Sequence, residues 1–206
     1  MRAAVSATRM ELLKIRKRLV LARRGYKLLR DKQDELMRRF MSLIEEWKLV
    51  RKAIDTEIRE AFRNFIIATS LMDKDLLKEA LSSFKENLKI EYSIKRFLNL
   101  NIPQFEVIGL TRPLNYSLLN TNTRFDISIA KFYELFPRLI KLAELEGSIF
   151  LISKEIKSTR RRVNALEHIL IPGLIDTIKY ITLKLSEFER SNLTRLMRVK
   201  ELIRGH

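Results

Sequence analysis

The sequence predicts an all-α-dominated fold: a long antiparallel two-helix coiled coil made by the N- and C-terminal segments, with a small central knob of one short helix and a β-hairpin. Three observations lead to it. Apolar residues recur at alternating steps of three and four through the first and last thirds of the chain, the spacing of a coiled-coil seam. Only 5 Gly and 4 Pro in 206 residues leave little material for loops. Strand-like alternation and turn residues are confined to the centre.

The first helix is marked at its start by Thr8 and Glu11, a T-x-x-E pair in which each side chain can satisfy a backbone donor near the other. From there Leu12, Ile15, Leu19, Ala22, Tyr26, Leu29, Gln33, Leu36, Phe40, Leu43, Trp47, Val50 and Ile54 form one heptad seam, broken only by Gln33. Ile58, Ala61, Phe65 and Ala68 continue it only if one step of three becomes four, which predicts a stutter at Ile54 to Ile58 and a helix running to about Ser70.

In the last third, Ile152, Ile156, Thr159, Val163, Leu166, Leu170, Leu174, Ile178, Ile181, Leu185 and Phe188 again step mainly by three and four, after a candidate helix start at Thr123. Pro172 interrupts this seam. It removes a backbone donor and crowds the preceding turn, so with Gly173 beside it the expectation is a kink or local loosening and not a terminus.

Between these segments, residues 73–87 read as a short helix capped by Asp73. Leu88, Ile90, Tyr92 and Ile94 alternate as in a strand over residues 88–99, and a second strand through Phe105, Val107 and Ile108 is expected after Pro103. Gly109, Pro113 and an Asn-rich tract then lead back to the second long helix. The expected division is 1–70 for the N-terminal helix, 71–127 for the knob and 128–206 for the C-terminal helix. A regular hairpin of this kind would set Trp47 near Ile152 to Ile156.

The chain carries 41 Lys+Arg against 25 Asp+Glu, a formal net charge of +16. Residues 1–39 hold 13 basic and 4 acidic side chains and residues 154–206 hold 12 and 6, so folding back brings nearly all the excess positive charge together. Such a surface suits a polyanionic or acidic partner. Arg160, Arg161 and Arg162 stand about 100° apart around a helix, so they wrap its flank while Val163, Leu166 and Leu170 face the partner helix.

Several classes of function are disfavoured. The five glycines are too scattered for a phosphate-binding loop. His168 is the only internal histidine, and Glu45–Glu46 and Asp73/Asp75 lie on charged helical surface, so no catalytic, cofactor-binding or metal-ligating residues are predicted. Without cysteine the chain fits a reducing, cytoplasmic setting. The longest stretch without charge, residues 113–123, is rich in Asn and Thr, so neither a membrane span nor a signal sequence is expected. A basic coiled coil that binds nucleic acid or serves as a structural adaptor is the alternative reading. Against the first, the aromatics of the basic halves, Tyr26, Tyr180 and Phe188, sit at or beside the seam; against the second, the apolar stripe reads as a narrow seam with no second face for lipid.

Two stretches are more specific than generic heptads. RGYKLLRDKQDELM near the N-terminus and RRRVNALEHILIP near the C-terminus resemble the paired terminal signatures of the D subunit of the V-type and archaeal A-type rotary ATPases, in the order and at the separation of that family. The centre resembles it only in size and hairpin-like composition. The resemblance implies a non-catalytic central rotor shaft without cofactors, peripheral to the membrane. Its basic end would enter the ring of catalytic and regulatory subunits, and its other end would meet the F subunit of the stalk and the adaptor on the membrane ring. On this reading Arg16, Arg23, Arg24, Arg161 and Arg162 are bearing contacts with the catalytic ring. Ile66, Ile67, Phe132, Tyr133 and Phe150, with Leu71 and Leu151, are apolar residues beyond what a two-stranded seam buries and are candidates for contact with the F subunit. Leu19, Tyr26, Leu36, Phe40, Trp47, Val163, Leu166, Leu170 and Ile181 hold the seam.

Overall fold

A computed structural model describes residues 6–82, 89–110 and 121–204. Thr8 does cap the first helix, its hydroxyl accepting the Glu11 backbone N–H at 3.2 Å and its carbonyl that of Leu12 at 3.0 Å. The reciprocal half of the expected capping box is not made. Thr8 N donates instead to the Ser6 carbonyl at 2.9 Å, and the Glu11 carboxylate lies 3.5 Å from Lys14 Nζ.

Helix α1 then runs unbroken over Arg9–Ser70. Helix α2, Lys74–Ser82, follows Asp73, whose carbonyl accepts the Leu77 N–H at 3.0 Å; the expected continuation of this helix to Asn87 lies outside the described residues. Strands β1 (Lys89–Phe97) and β2 (Leu100–Ile108) pair antiparallel. Helix α3, Thr123–Ala165, starts where Asn122 accepts the N–H of Phe125 at 2.8 Å through its carbonyl and that of Arg124 at 3.3 Å through Oδ1. A π turn, Leu166–Leu170, joins it to α4, Ile171–Arg204.

The chain forms two compact units, one of Met1–Glu35 with Ile156–His206 and the other of Leu36–Glu155. In the second, the fully buried residues of α1 are Leu36, Leu43, Ile54, Ala61 and Ala68. Their step of seven is interrupted once, between Leu43 and Ile54, by a step of eleven. Four residues have been inserted into the heptad there, so the buried line shifts before Ile54, whereas the sequence predicts the stutter between Ile54 and Ile58. Opposite them α3 buries Phe125, Leu135, Leu145 and Ile152. The two helices run antiparallel: Glu60 meets Lys131, Glu57 meets Arg138 and Arg51 meets Glu146. Trp47 Nε1 donates to Glu146 at 3.0 Å, so the register is displaced from the one that sets Trp47 beside Ile152 to Ile156.

The hairpin departs from expectation in its turn and in β2. Phe97 pairs with Leu100, so Leu98 and Asn99 form a two-residue turn, and Leu98 adopts φ +52°, a left-handed conformation that costs a leucine about 1–2 kcal/mol. Strand β2 therefore starts before Pro103, which pairs with Ile94 inside the ladder. Both strands of a two-stranded ladder are edge strands, the setting that tolerates a proline. Ile90, Tyr92 and Ile94 face Val107, Phe105 and Pro103, with the Tyr92 and Phe105 ring centroids 5.9 Å apart. The hairpin rests on the helices: Pro103 Cγ comes 3.9 Å from the position of a Cβ on Gly147, and Arg39 lies over the Phe97 ring at 6.0 Å.

At the other end of this unit, Ala68, Ala80 and Phe125 form a buried cluster covered by Phe65, Met72, Leu77 and Ile129. It fastens α2 and the start of α3 to the end of α1. Among the described residues no helix is long and apolar enough to cross a membrane.

Candidate interaction surfaces

In the unit of Leu36–Glu155, aromatic packing decides which apolar side chains are free. Phe132 meets the Phe62 ring edge-on at 5.2 Å and the Phe65 ring at 6.1 Å, so much of it is internal packing. Ile67, Phe132, Tyr133 and Leu151 are half-buried, whereas Ile66 and Phe150 are 63% and 66% exposed. Leu71 is exposed too, where α1 has ended. Of the residues chosen from the sequence as an outward apolar set, Ile66, Leu71 and Phe150 present the most surface.

Charges between the helices of this unit are largely paired. Lys131 Nζ lies 2.6 Å from Glu60 Oε2, and Arg138 Nη1 donates to both Glu57 oxygens, at 2.6 Å to Oε2. The bond from Lys131 holds the Glu60 carboxyl below its ordinary pKa. Arg51 reaches Glu146 at 3.3 Å while its guanidinium lies 5.4 Å from the Trp47 ring centroid. This Trp47–Arg51–Glu146 group was hidden in the sequence, because Glu146 belongs to no motif and its partners are about a hundred residues away.

The unit of Met1–Glu35 and Ile156–His206 is different. Arg16, Arg23, Arg24, Arg161 and Arg162 are all exposed, and none has an ion-pair partner among the described residues. Arg9 meets Glu189 at 2.6 Å, and Arg30 donates to the Tyr26 hydroxyl at 3.0 Å. That bond, with attraction from Tyr26 and Glu167, raises the Arg30 pKa. Lys184 is likewise raised by its bond to Glu187.

The seam is more open here than the sequence suggests. Val163 and Ile181 are buried, while Leu19, Tyr26 and Leu166 are half-buried. Of the expected seam residues in the other unit, Leu36 is buried and Phe40 and Trp47 are half-buried. Leu170, expected in the seam, is 47% exposed because it ends the π turn, where the wider turn carries it off the facing line. Phe188 is exposed at the level where α1 begins.

A further correction concerns the width of the apolar surface. Met10, Leu13, Val20, Leu21 and Leu28 are exposed on α1 beside the seam, and Leu13, Val20 and Leu21 line a shallow depression of about 430 Å³ with Arg16 and Lys17. On α4, Leu193, Leu196, Met197, Leu202 and Ile203 are exposed as well. The basic surface is thus interleaved with apolar side chains and is not confined to a single narrow stripe. The spacing of Met10, Leu13 and Val20, one or two places from the seam, was the signal for it in the sequence. Among the described residues no group of three or more His, Cys, Asp or Glu is placed to hold a metal ion.

The sequence model of the ATP synthase D subunit family matches residues 11–201. A V-type ATP synthase D subunit of Clostridium novyi (strain NT) is 44% identical over 207 residues, covering 98% of this chain and 96% of the relative. One from Clostridium botulinum (strain ATCC 19397 / Type A) is 41% identical over 211 residues, with the same coverage of each chain. A third, from Thermoanaerobacter sp. (strain X514), is 41% identical over 201 residues, 97% of this chain and 96% of the relative.

Proposed function

Because the chain belongs to the ATP synthase D subunit family, we propose that it is the non-catalytic central shaft of a V-type rotary ATPase, coupling ATP turnover in the catalytic ring to ion transport across the membrane. The observation that carries this reading is the contrast between the two units. Cross-helix charges are paired along Leu36–Glu155, while Arg16, Arg23, Arg24, Arg161 and Arg162 of the terminal unit project from a helical pair without ion-pair partners among the described residues. A shaft turning in a ring requires a surface that makes many weak, exchangeable contacts. Exposed charge pairs contribute about 0–1 kcal/mol each, which suits contacts remade at every step.

In this reading Arg16, Arg23, Arg24, Arg161 and Arg162 meet the catalytic and regulatory subunits, and the exposed apolar side chains beside them complete a bearing. Ile66 and Phe150, with Ile67, Phe132 and Tyr133, contact the F subunit, and the membrane-ring adaptor lies beyond. The chain then works on the cytoplasmic side, peripheral to the membrane. The test is purification of the chain from its native complex. Wild type should bring down the catalytic, regulatory and F subunits in fixed ratio, and Ile66→Asp with Phe150→Asp should lose the F subunit while keeping the ring subunits. A double variant that retains the F subunit in full would remove the proposed contact, and a chain recovered without ring subunits would remove the proposed role.

A further inference from the structure

The unit of Met1–Glu35 and Ile156–His206 contains helix-weakening features on both strands of the pair. On one strand, Ile171 N–H bonds to the Leu166 carbonyl five residues back, and none of the five residues of this π turn is buried. The turn ends two places before Pro172. In an α-helix that proline would press its ring on the carbonyl of His168 and leave it without a donor, and one extra residue in the turn relieves the clash. Gly173 follows, with its carbonyl also accepting the Thr177 hydroxyl at 2.7 Å, a side-chain bond that loosens and bends helices. Pro137 inside α3 is a useful contrast, since the helix continues through it without a π turn between the buried Leu135 and the Arg138–Glu57 pair.

On the other strand stands Gly25, in the interior of α1. A glycine in mid-helix is unfavourable relative to alanine and is usually explained by a close approach or a positive φ. Neither applies: among the described residues, no atom beyond the glycine's own neighbours and its helix's adjacent backbone lies within 4 Å of a Cβ built on Gly25, or of one built on Gly173. Counting residue for residue in opposite directions from the Arg9–Glu189 pair, sixteen places bring Gly25 level with Gly173. Along this stretch the packing is also thin. Among the described residues α1 has no fully buried side chain between Ile15 and Leu36, and the opposite strand has none between Val163 and Ile181.

We propose that Gly25, the Leu166–Leu170 turn and Pro172–Gly173 form one compliant joint, at which both helices of the pair bend or twist together while the packed levels on either side stay closed. The two glycines serve helix softness and not close packing. Each strand alone would only carry a defect; at one level they concentrate deformation in a short segment that the partner helix does not resist.

Hydrogen exchange of the full-length chain, followed peptide by peptide, tests this directly. Amides of residues 23–29 and 166–177 should exchange faster than those of residues 36–43 and 152–163. Gly25→Ala with Gly173→Ala should slow exchange in both soft segments roughly tenfold. Gly25→Ala alone should also slow residues 166–177 on the opposite helix, and Pro172→Ala, which restores the missing donor, should slow residues 23–29. Exchange no faster than in the flanking segments would overturn the joint. So would slowing confined to the helix that carries the substitution, since two independent defects do not share a motion.

Discussion

Phe125→Ala tests how the central elements are fastened to the helix pair. Phe125 is 0% exposed and stacks at 34° on Phe65 with ring centroids 6.1 Å apart, under Met72, Leu77 and Ile129. Truncating a buried phenylalanine costs about 3–5 kcal/mol, of which lost transfer of the ring is one part and the residual cavity the other. Here the neighbours Ala68 and Ala80 are already small and sit on two different helices, so they cannot fill the space. The loss should fall in the upper half of that range, about 4 kcal/mol. With a urea slope of about 2 kcal/mol/M the midpoint should drop by about 2 M. Phe150→Ala is the matched control, because its ring is 66% exposed and its removal should cost within about 0.5 kcal/mol. Urea titration followed by far-ultraviolet circular dichroism reads both. Equal shifts for the two variants, or a Phe125→Ala shift below about 0.5 M, would refute the assignment of Phe125 as the anchor.

Leu98→Asn should stabilise the hairpin by about 1 kcal/mol, read as slower amide exchange in β1 and β2, because asparagine accepts the positive φ that leucine resists. Thr159 is 1% exposed with an unpartnered hydroxyl, so Thr159→Val should raise stability by about 1–2 kcal/mol in urea titration; a loss would mean that the hydroxyl has a partner in solution. Glu60 has a lowered pKa, so the stability it contributes is present above its unfolded value of 4.5 and is lost as pH falls through the lower folded value. Nuclear magnetic resonance titration of its carboxyl carbon should show the depression in the wild type and its disappearance in Lys131→Ala.

The long helices were legible because their information is local and repeated. A seam of alternating steps survives single errors, and Thr8 and Pro172 each act on the turn beside them. The stutter was readable for the same reason, since four added residues displace every later position. The register between the helices was not. It depends on pairs such as Trp47–Glu146, in which neither residue's own surroundings name the other. The hairpin turn was missed because Leu98–Asn99 lacks the glycine that usually marks a two-residue turn, and leucine's own preference opposes the positive φ it adopts there. Leu170 matched the seam by spacing and left it because a π turn changes the count. Among the proposed contact residues, the exposure of the five arginines followed from their places off the seam, whereas the Phe132 contacts with Phe62 and Phe65 required the fold.

The rotor reading is tested most directly by replacing Arg16, Arg23, Arg24, Arg161 and Arg162 together with glutamine in the assembled complex, and recording rotation of a bead on the shaft alongside ATP hydrolysis by the same preparation at low and high salt. All five side chains are exposed, so the helical pair should stay folded and the complex should still assemble. Single replacements should change little, since each contact contributes about 0–1 kcal/mol. The five-fold variant should keep hydrolysing ATP but turn the bead with reduced torque and loose coupling, and high salt should weaken the wild type in the same direction. Full torque with tight coupling at both salt concentrations would contradict the proposed bearing and leave the shape of the shaft, without its charge, to carry the force.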